Sequence, residues 1–247
     1  MSNFRQPPTE VRSHSITHPP GRVAVPTQPG WDYLVFAHAG LFTALTETRA
    51  WTVPAHRVLC VPDGTRIRID TSRRTPIRCL YLDERLRVVG GDLSVVTLTP
   101  LLRELVAHAM SNTPMDLSEP ADQATIALIA DRLAHERDAR LHLPLPLDPA
   151  AREVAESIMA DPARGSEECV EQADLSRRTL ERRFTNETGM SLGQWRRRAR
   201  ILASVALLAK GDSVTQTALA VGYATPSSFV SAFRSELGAP PREFMRR

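Results

Sequence analysis

The chain has 247 residues, of which 42% are hydrophobic and 24% are charged, a balance typical of globular proteins and unlike that of disordered or membrane-spanning chains. No apolar run reaches the roughly 20 residues needed to cross a bilayer, and the first residues lack the apolar core of a secretory signal, so we expect a cytoplasmic protein without a membrane partner. The net charge of +3 arises in residues 149–247, which carry 15 basic and 12 acidic residues, whereas residues 1–148 carry 16 of each.

The N-terminal part shows short apolar stretches separated by glycine and proline turns, a pattern that predicts β-strands. The predicted strands are Trp31–Ala37, Leu41–Thr46, Ala50–Val53, Arg57–Val61, Arg66–Asp70 and Ile77–Leu82. Strands of this length and spacing favour a small antiparallel sandwich or barrel.

Two helices are predicted next, at Pro100–Ser111 and Ala121–Arg137, because leucine, isoleucine and alanine recur there at helical spacing. They are expected to form a hairpin that packs on the barrel or on a second copy of itself, which makes the chain a candidate homodimer. The following stretch, LHLPLPLDP at 141–149, contains three prolines and predicts a semi-rigid linker without helix or strand.

The C-terminal part has a helical period throughout. The predicted helices are Ala150–Ala160, Ser166–Gln172, Arg177–Glu187, Leu192–Ala209, Val214–Val221 and Pro226–Leu237. Serine or threonine precedes four of these helices as a capping residue, and glycine follows at the turns. The whole chain is therefore predicted as an α+β multidomain protein: a β-barrel at 1–99, a helical hairpin at 100–140, a linker at 141–149 and an all-α domain at 150–247.

Two helix-turn-helix patterns stand about fifty residues apart in this all-α domain. In each second helix, apolar residues spaced by four must face a core, namely Leu180 and Phe184 in one and Phe229 and Phe233 in the other. The outward faces carry Arg177, Arg178, Glu181 and Arg182 in the first unit and Ser227, Ser228, Ser231 and Arg234 in the second. Because arginine suits guanine edges and phosphates, we expect the first unit to contribute more affinity for DNA.

The helix Leu192–Ala209 connects the two units and is about 27 Å long at 1.5 Å per residue. Successive major grooves on one side of a duplex are about 34 Å apart, so this spine can present two readers to adjacent grooves. Trp195 and Leu202 belong to its apolar stripe. Its arginines, Arg196, Arg197, Arg198 and Arg200, are interpreted as a solvated face in preference to phosphate contacts.

The C-terminal part resembles the DNA-binding domain of the AraC/XylS family of transcription regulators. The resemblance is carried by LSRRTLERRFTNETGMSLGQWRRRARILASVALLAKGDSV and ALAVGYATPSSFVSAFRSELGAPPREF, in which the serine cap, L-x-R-x-F, G-Y, S-F-x-x-x-F and G-x-x-P occur in order. It implies a regulator that inserts two recognition helices into adjacent major grooves. The residues expected to contact DNA are Arg177, Arg178, Thr179, Glu181, Arg182, Pro226, Ser227, Ser228, Ser231 and Arg234.

The N-terminal part looks like the cupin-type sensor that many such regulators carry, on the stretch WTVPAHRVLCVPDGTRIRI. The resemblance implies control by a small-molecule effector or partner, and RNA polymerase is a further candidate partner. Where a metal-binding cupin would have an H-x-H motif before the strand at Tyr33, this sequence has Thr27, Gln28 and Pro29, and Ile67 stands where a later histidine would fall, so neither a metal nor another cofactor is predicted.

The cysteines, Cys60, Cys79 and Cys169, include no C-x-x-C pair and are interpreted as buried small apolar residues. Because no catalytic constellation stands out, the chain is predicted not to be an enzyme. Two alternatives remain open: a cupin enzyme with an attached DNA-binding module, and a dimerisation adaptor that has lost DNA recognition.

Overall fold

The computed structural model describes residues 11–25, 29–136, 138–171 and 175–246, and it confirms the α+β fold class, with antiparallel sheets followed by helices. The strands in these ranges are β1 Val11–His18, β2 Gly21–Ala24, β3 Trp31–Ala37, β4 Leu41–Leu45, β5 Arg49–Pro54, β6 Arg57–Val61, β7 Arg68–Thr71, β8 Thr75–Asp83, β9 Ser94–Thr97 and β10 His142–Pro144. The helices are α1 Pro100–Ser111, α2 Pro120–His135, α3 Pro149–Ala160, α4 Ser166–Glu171, α5 Arg177–Thr188, α6 Leu192–Ala209, α7 Val214–Ala220, α8 Pro226–Leu237 and α9 Pro241–Phe244.

The strands form two open five-stranded sheets and not a closed barrel. Sheet one has the order β1-β8-β3-β6-β9 and sheet two the order β10-β5-β4-β7-β2. All six predicted strands are present, but β1, β2, β9 and β10 are additional. Strand β1 escapes the sequence pattern because it is a polar edge strand, VRSHSITH, whose central residues are largely exposed.

Strand β3 is apolar at nearly every position because both of its faces are buried. Tyr33 and Val35 belong to the core between the two sheets, whereas Leu34 and Phe36 belong to a second core beneath α1 and α2. Successive side chains of a strand point to opposite faces, so one run of apolar residues serves both cores. The predicted hairpin therefore packs on sheet one, and predicted residue 137 lies outside the described residues.

The proline-rich stretch 141–149 differs from its prediction, because it contains β10. This strand pairs with β5, placing Leu143 opposite Ala50, and it lies at the edge of sheet two. Proline is tolerated in an edge strand because its missing N–H faces away from the ladder. Leu141, Leu143 and Leu145 are buried in the same core as residues of α6, so the connection is packed and not extended in solvent.

The helical part is organised around α6, which packs against α3, α5, α7 and α8 and also against β5 and β10. The predicted helices are all present in it, with the final residue of Ser166–Gln172 outside the described range, and the short helix α9 is additional. Cys60 and Cys79 are buried as predicted, while the side chain of Cys169 lies outside those described. None of the described helices is both long and apolar enough to span a membrane.

Candidate nucleic-acid interface

The first reader helix, α5, begins after Ser176, whose hydroxyl accepts a hydrogen bond from the amide of Thr179 at 3.3 Å. Leu180 and Phe184 are fully buried, which fixes the face that α5 turns to solvent. On that face Arg178 and Arg182 are exposed, and neither makes a hydrogen bond or ion pair with any residue of the described ranges. Two predicted DNA contacts are therefore arginines on one exposed surface that have no partner in the described part of the chain.

The other predicted residues of α5 have partners within the chain. Arg177 forms an ion pair with Glu167 of α4, with 2.6 Å between Nη1 and Oε1. Thr179 has its hydroxyl 2.9 Å from that of Ser176. Glu181 accepts a hydrogen bond from the backbone N–H of Leu192 at 3.2 Å, so its carboxylate links α5 to the start of α6. These three residues hold the reader in place as well as lining its surface.

The far side of α5 is tied to the N-terminus of α3. Arg183 pairs with Asp148, and Glu187 accepts hydrogen bonds from the backbone N–H groups of Leu147 at 2.6 Å and Asp148 at 3.0 Å. Asp148 in turn caps α3 by accepting from the amide of Ala151. The hydrogen bond from the Arg183 side chain holds the pKa of Asp148 below its ordinary value.

The second reader helix, α8, begins after Thr225, whose hydroxyl accepts from the amide of Ser228 at 3.2 Å. Pro226 occupies the first position of the helix, where its missing N–H costs no bond. The Ser228 hydroxyl is used locally, since it donates to the carbonyl of Thr225 at 2.9 Å. Ser227, Ser231 and Arg234 are exposed, and within the described parts of the chain no hydrogen bond or ion pair engages their side chains.

The turn before α8 requires glycine at position 222. The backbone φ of Gly222 is +82°, and an added Cβ would lie 2.7 Å from Nη2 of Arg200 and 3.0 Å from Cα of Ala163. Arg200 also donates to the carbonyl of Pro162 at 2.8 Å, and its Cζ lies 5.9 Å from the ring centroid of Tyr223. One guanidinium of the spine thus joins the turn of the second unit to the end of α3.

The arginines of α6 differ from the predicted solvated face. Arg196 donates to the carbonyl of Arg164. Arg198 donates to the carbonyls of Arg140 and His142, each at 2.9 Å, and its Nη1 lies 3.2 Å from Oε2 of Glu236 on α8. Arg197 alone among the four is exposed and makes no hydrogen bond or ion pair with the described residues. The sequence pattern missed these structural roles because the carbonyl partners lie 32 or more positions away.

One hydrophobic core connects both readers to the spine, and it contains a separate group of aromatic rings in each unit. Trp195 of α6 contacts Phe184 of α5 edge to face, with ring centroids 5.4 Å apart, and its Nε1 donates to the carbonyl of Pro144. In the second unit Phe233 contacts Phe229 at 5.7 Å and Phe244 of α9 at 5.6 Å. The two recognition helices therefore have fixed positions relative to α6.

The sheets touch the second unit as well as the spine. Arg57, at the start of β6, has its Cζ 4.9 Å from the ring centroid of Phe244, and the His56 ring contacts the same phenyl ring edge to face. Burial, and then the charges of Arg57 and Arg103, lower the pKa of His56 to about 4, so this imidazole is neutral at pH 7. A conformational change at His56 and Arg57 would therefore alter contacts with the aromatic rings that pack behind α8.

A cleft of about 430 Å³ opens between the edges of the two sheets. It is lined by residues of β1, β2 and β8, including Ile16, Val23, Tyr81 and two histidines, His14 and His18. Burial, and then the neighbouring His14, lower the pKa of His18. Among the described residues no group of three or more histidine, cysteine, aspartate or glutamate side chains has the arrangement of a metal site. Of the positions that correspond to the cupin histidine motif, 27 and 28 lie outside the described residues.

The profile of the helix-turn-helix domain family matches residues 169–247. Two relatives named HTH-type transcriptional regulators are similar over most of the chain. NimR of Escherichia coli (strain K12) is 26% identical over 216 residues, which cover 87% of this chain and 79% of NimR. RipA of Corynebacterium glutamicum is 28% identical over 215 residues, which cover 85% of this chain and 61% of RipA. The solved structure of ToxT from Vibrio cholerae aligns with 96% of this chain and 98% of its own, at 11% identity and a TM-score of 0.40.

Proposed function

We propose that the chain is a helix-turn-helix transcription regulator of the AraC/XylS type and that it binds double-stranded DNA with α5 and α8 in successive major grooves. The observation that carries this proposal is the single hydrophobic core that joins both readers to α6 while their N-terminal faces stay exposed. Rigid spacing of two readers selects duplex sites in which two short sequences lie one helical turn apart.

The ten predicted residues take unequal parts in this proposal. Arg178 and Arg182 make the main contacts to base edges and phosphates, because both are exposed and neither has a partner among the described residues. Arg177, Thr179 and Glu181 line the same surface while holding α5 in place. In α8 the expected contacts are made by Pro226, Ser227, Ser228, Ser231 and Arg234.

Selection of bound duplexes from a random pool by the full chain, followed by hydroxyl-radical footprinting, tests this function. We expect two protected segments on one face of the duplex, centred about 10 base pairs apart. A single protected segment, or protection that spreads without preferred sequence, would contradict the two-reader arrangement.

We also propose that regulation enters through the cleft between β1, β2 and β8. Its volume of about 430 Å³ lies within the usual range for small-molecule sites, and its lining combines apolar side chains with imidazole and phenol groups. The contact between His56, Arg57 and Phe244 offers a route from the sheets to the second reader. Mapping of bound DNA across the genome would identify the regulated genes. Substrates of the encoded proteins could then be tested as ligands by the shift that each causes in the melting temperature of this chain.

A homodimer formed through the hairpin of α1 and α2 is the quaternary arrangement we propose. Leu101 and Leu128 are 50% and 38% exposed, which is unusual for leucines on helices that otherwise pack on a sheet. Sedimentation of the full chain should show a dimer that Leu101→Glu together with Leu128→Glu converts to a monomer. An unchanged dimer would place the contact elsewhere.

The remaining parts of the proposal concern the setting in which the regulator acts. We propose that it works in the cytoplasm, without a membrane partner, by binding and not by catalysis, and that RNA polymerase is its partner at regulated promoters. Metal analysis of the purified chain is the sharpest check on the enzymatic alternative. Stoichiometric iron, manganese or zinc in the sheet domain would support the enzymatic alternative.

A further inference from the structure

We propose that the pocket between the two helix-turn-helix units binds a phosphate of the DNA backbone through Arg197, an inference that rests on the DNA-binding function proposed above. The pocket has a volume of about 250 Å³ and is lined by four arginines and one carboxylate. The arginines are Arg177, Arg196, Arg197 and Arg200, and the carboxylate is that of Glu181.

The position of this pocket is the first argument. Val170 of α4, Arg177 and Glu181 of α5, and the first turns of α6 form one wall, and Tyr223 of the second unit closes the other. Because Arg177 and Glu181 neighbour the exposed Arg178 and Arg182 along α5, the pocket opens beside the surface of the first reader. When two readers occupy successive major grooves, the sugar-phosphate backbone must pass between them, next to this pocket.

The pairing of the arginines is the second argument. Arg177 is bound to Glu167, while Arg196 and Arg200 donate to backbone carbonyls of residues 162–164. These bonds hold the guanidinium groups of Arg196 and Arg200 in place through backbone carbonyls, which carry no net charge. Arg197 is exposed and has no such bond within the described residues. It is therefore the donor left available for an anion in a pocket of positive charge.

The chemistry of the donor set is the third argument. A guanidinium presents a planar fork of N–H donors that matches two oxygens of one phosphate. Contacts of this kind set the register of a protein on the duplex and carry no sequence information. Arg197 is thus assigned a sequence-independent contact, unlike the base-edge role proposed for Arg182.

Salt-dependent binding of the full chain to a random-sequence duplex three helical turns long tests the assignment without knowledge of the operator. Arg197→Ala should bind several-fold more weakly and should reduce the slope of log affinity against log salt by about 0.9, the loss expected for one phosphate contact. Arg197→Lys should keep the slope. The matched control is Arg66→Ala, which removes one exposed charge from the sheet domain.

Equal slopes for Arg197→Ala and Arg66→Ala, at measurable binding, would overturn the phosphate site and leave the DNA-binding function intact. Failure of the unaltered chain to bind any duplex would contradict the function itself. Calorimetric titration with inorganic phosphate in the absence of DNA separates the two sources of the anion. We expect no saturable binding at millimolar phosphate, and saturable binding that Arg197→Ala abolishes would identify a free anionic ligand in place of the DNA backbone.

Discussion

The two helix-turn-helix units share one architecture and one hydrophobic core but differ in the contacts around that core. The first unit adds charged contacts to its aromatic pair of Phe184 and Trp195: Arg183 to Asp148, Arg177 to Glu167, and Glu187 to the start of α3. The second has an ion pair to the spine, Arg198 with Glu236, and a run of edge-to-face aromatic contacts from Tyr223 through Phe229 and Phe233 to Phe244. The difference parallels their surfaces, since the first presents arginines that have no partner among the described residues and the second mainly serine hydroxyls. A unit rich in charge can grip a polyanion, and it also responds to pH and salt.

The largest effect is expected from removing one core phenyl ring in each unit. Phe184→Ala and Phe229→Ala should each lower the free energy of unfolding by about 3–5 kcal/mol, because both side chains are fully buried. Urea denaturation followed by tryptophan fluorescence measures the change, with the exposed Asn186→Ala as control. Similar losses of unfolding free energy, each in a single unfolding transition, would show that the two units unfold together. A second unfolding transition in either variant would contradict the view that the two units form one rigid reader.

The unequal surfaces can be sharpened by comparing Arg182→Ala with Ser231→Ala. We expect Arg182→Ala to weaken binding to a selected duplex by about 1–3 kcal/mol, the value for a base-reading arginine, and Ser231→Ala to have a smaller effect. Fluorescence anisotropy with the selected duplex and a scrambled duplex provides the measurement. An even loss on both duplexes would assign Arg182 to a phosphate, and a larger loss for Ser231→Ala would reverse the ranking of the two readers.

The caps of the reader helices provide a matched pair in which the units should behave alike. Ser176→Ala and Thr225→Ala each remove a hydroxyl that accepts a hydrogen bond from the backbone N–H of the third residue of its helix. Each substitution should lower the free energy of unfolding by about 1 kcal/mol. Asparagine at either position keeps an acceptor and should restore most of the loss. Thermal unfolding measures both effects. Stability unchanged by the alanine variants would show that these hydrogen bonds do not hold the helix ends.

The smallest expected effect is the acid sensitivity of the first unit. Arg183 lowers the pKa of Asp148, so the fold favours the ionised carboxylate. This contribution is present above the unfolded pKa of about 3.9 and disappears as the pH falls through the lower pKa of the folded state. The unaltered chain should therefore be more stable than Asp148→Asn at neutral pH, and the two should converge below about pH 4. Melting temperatures across this range check the prediction, with Asp212→Asn as control; a constant difference would contradict it.

The sequence predicted the elements whose pattern is local. Periodicity found the central strands and the long helices, and capping residues such as Ser176 and Thr225 marked where the readers begin. It missed β1 and β10, since a polar or proline-containing edge strand is defined by its neighbour in the sheet and not by its own alternation. The pattern also could not distinguish two open sheets from a closed barrel, because closure depends on pairing between distant strands.

The candidate site shows the same division. Outward residues of α5 and α8 follow from helical geometry once their buried phenylalanines are known. The partners of Glu181, Arg198 and Arg200 do not follow, since each binds a backbone group brought close only by tertiary packing. One sequence signal could have indicated the structural role of these arginines. Four arginines opposite the apolar stripe of α6 give that helix more positive charge than it needs to stay solvated.

The packed connection between sheets and helices limits how this protein can be recombined. The carbonyl of Pro144 accepts from Trp195, Arg198 donates to the carbonyls of Arg140 and His142, and Asp148 caps α3 while pairing with Arg183. A chimera that replaces residues 1–148 by another protein would leave the spine without these partners. We expect it to be unstable even if both parent proteins fold well. Grafting another sensor onto these readers would require a junction before Leu141, together with a new strand to replace β5 beside β10.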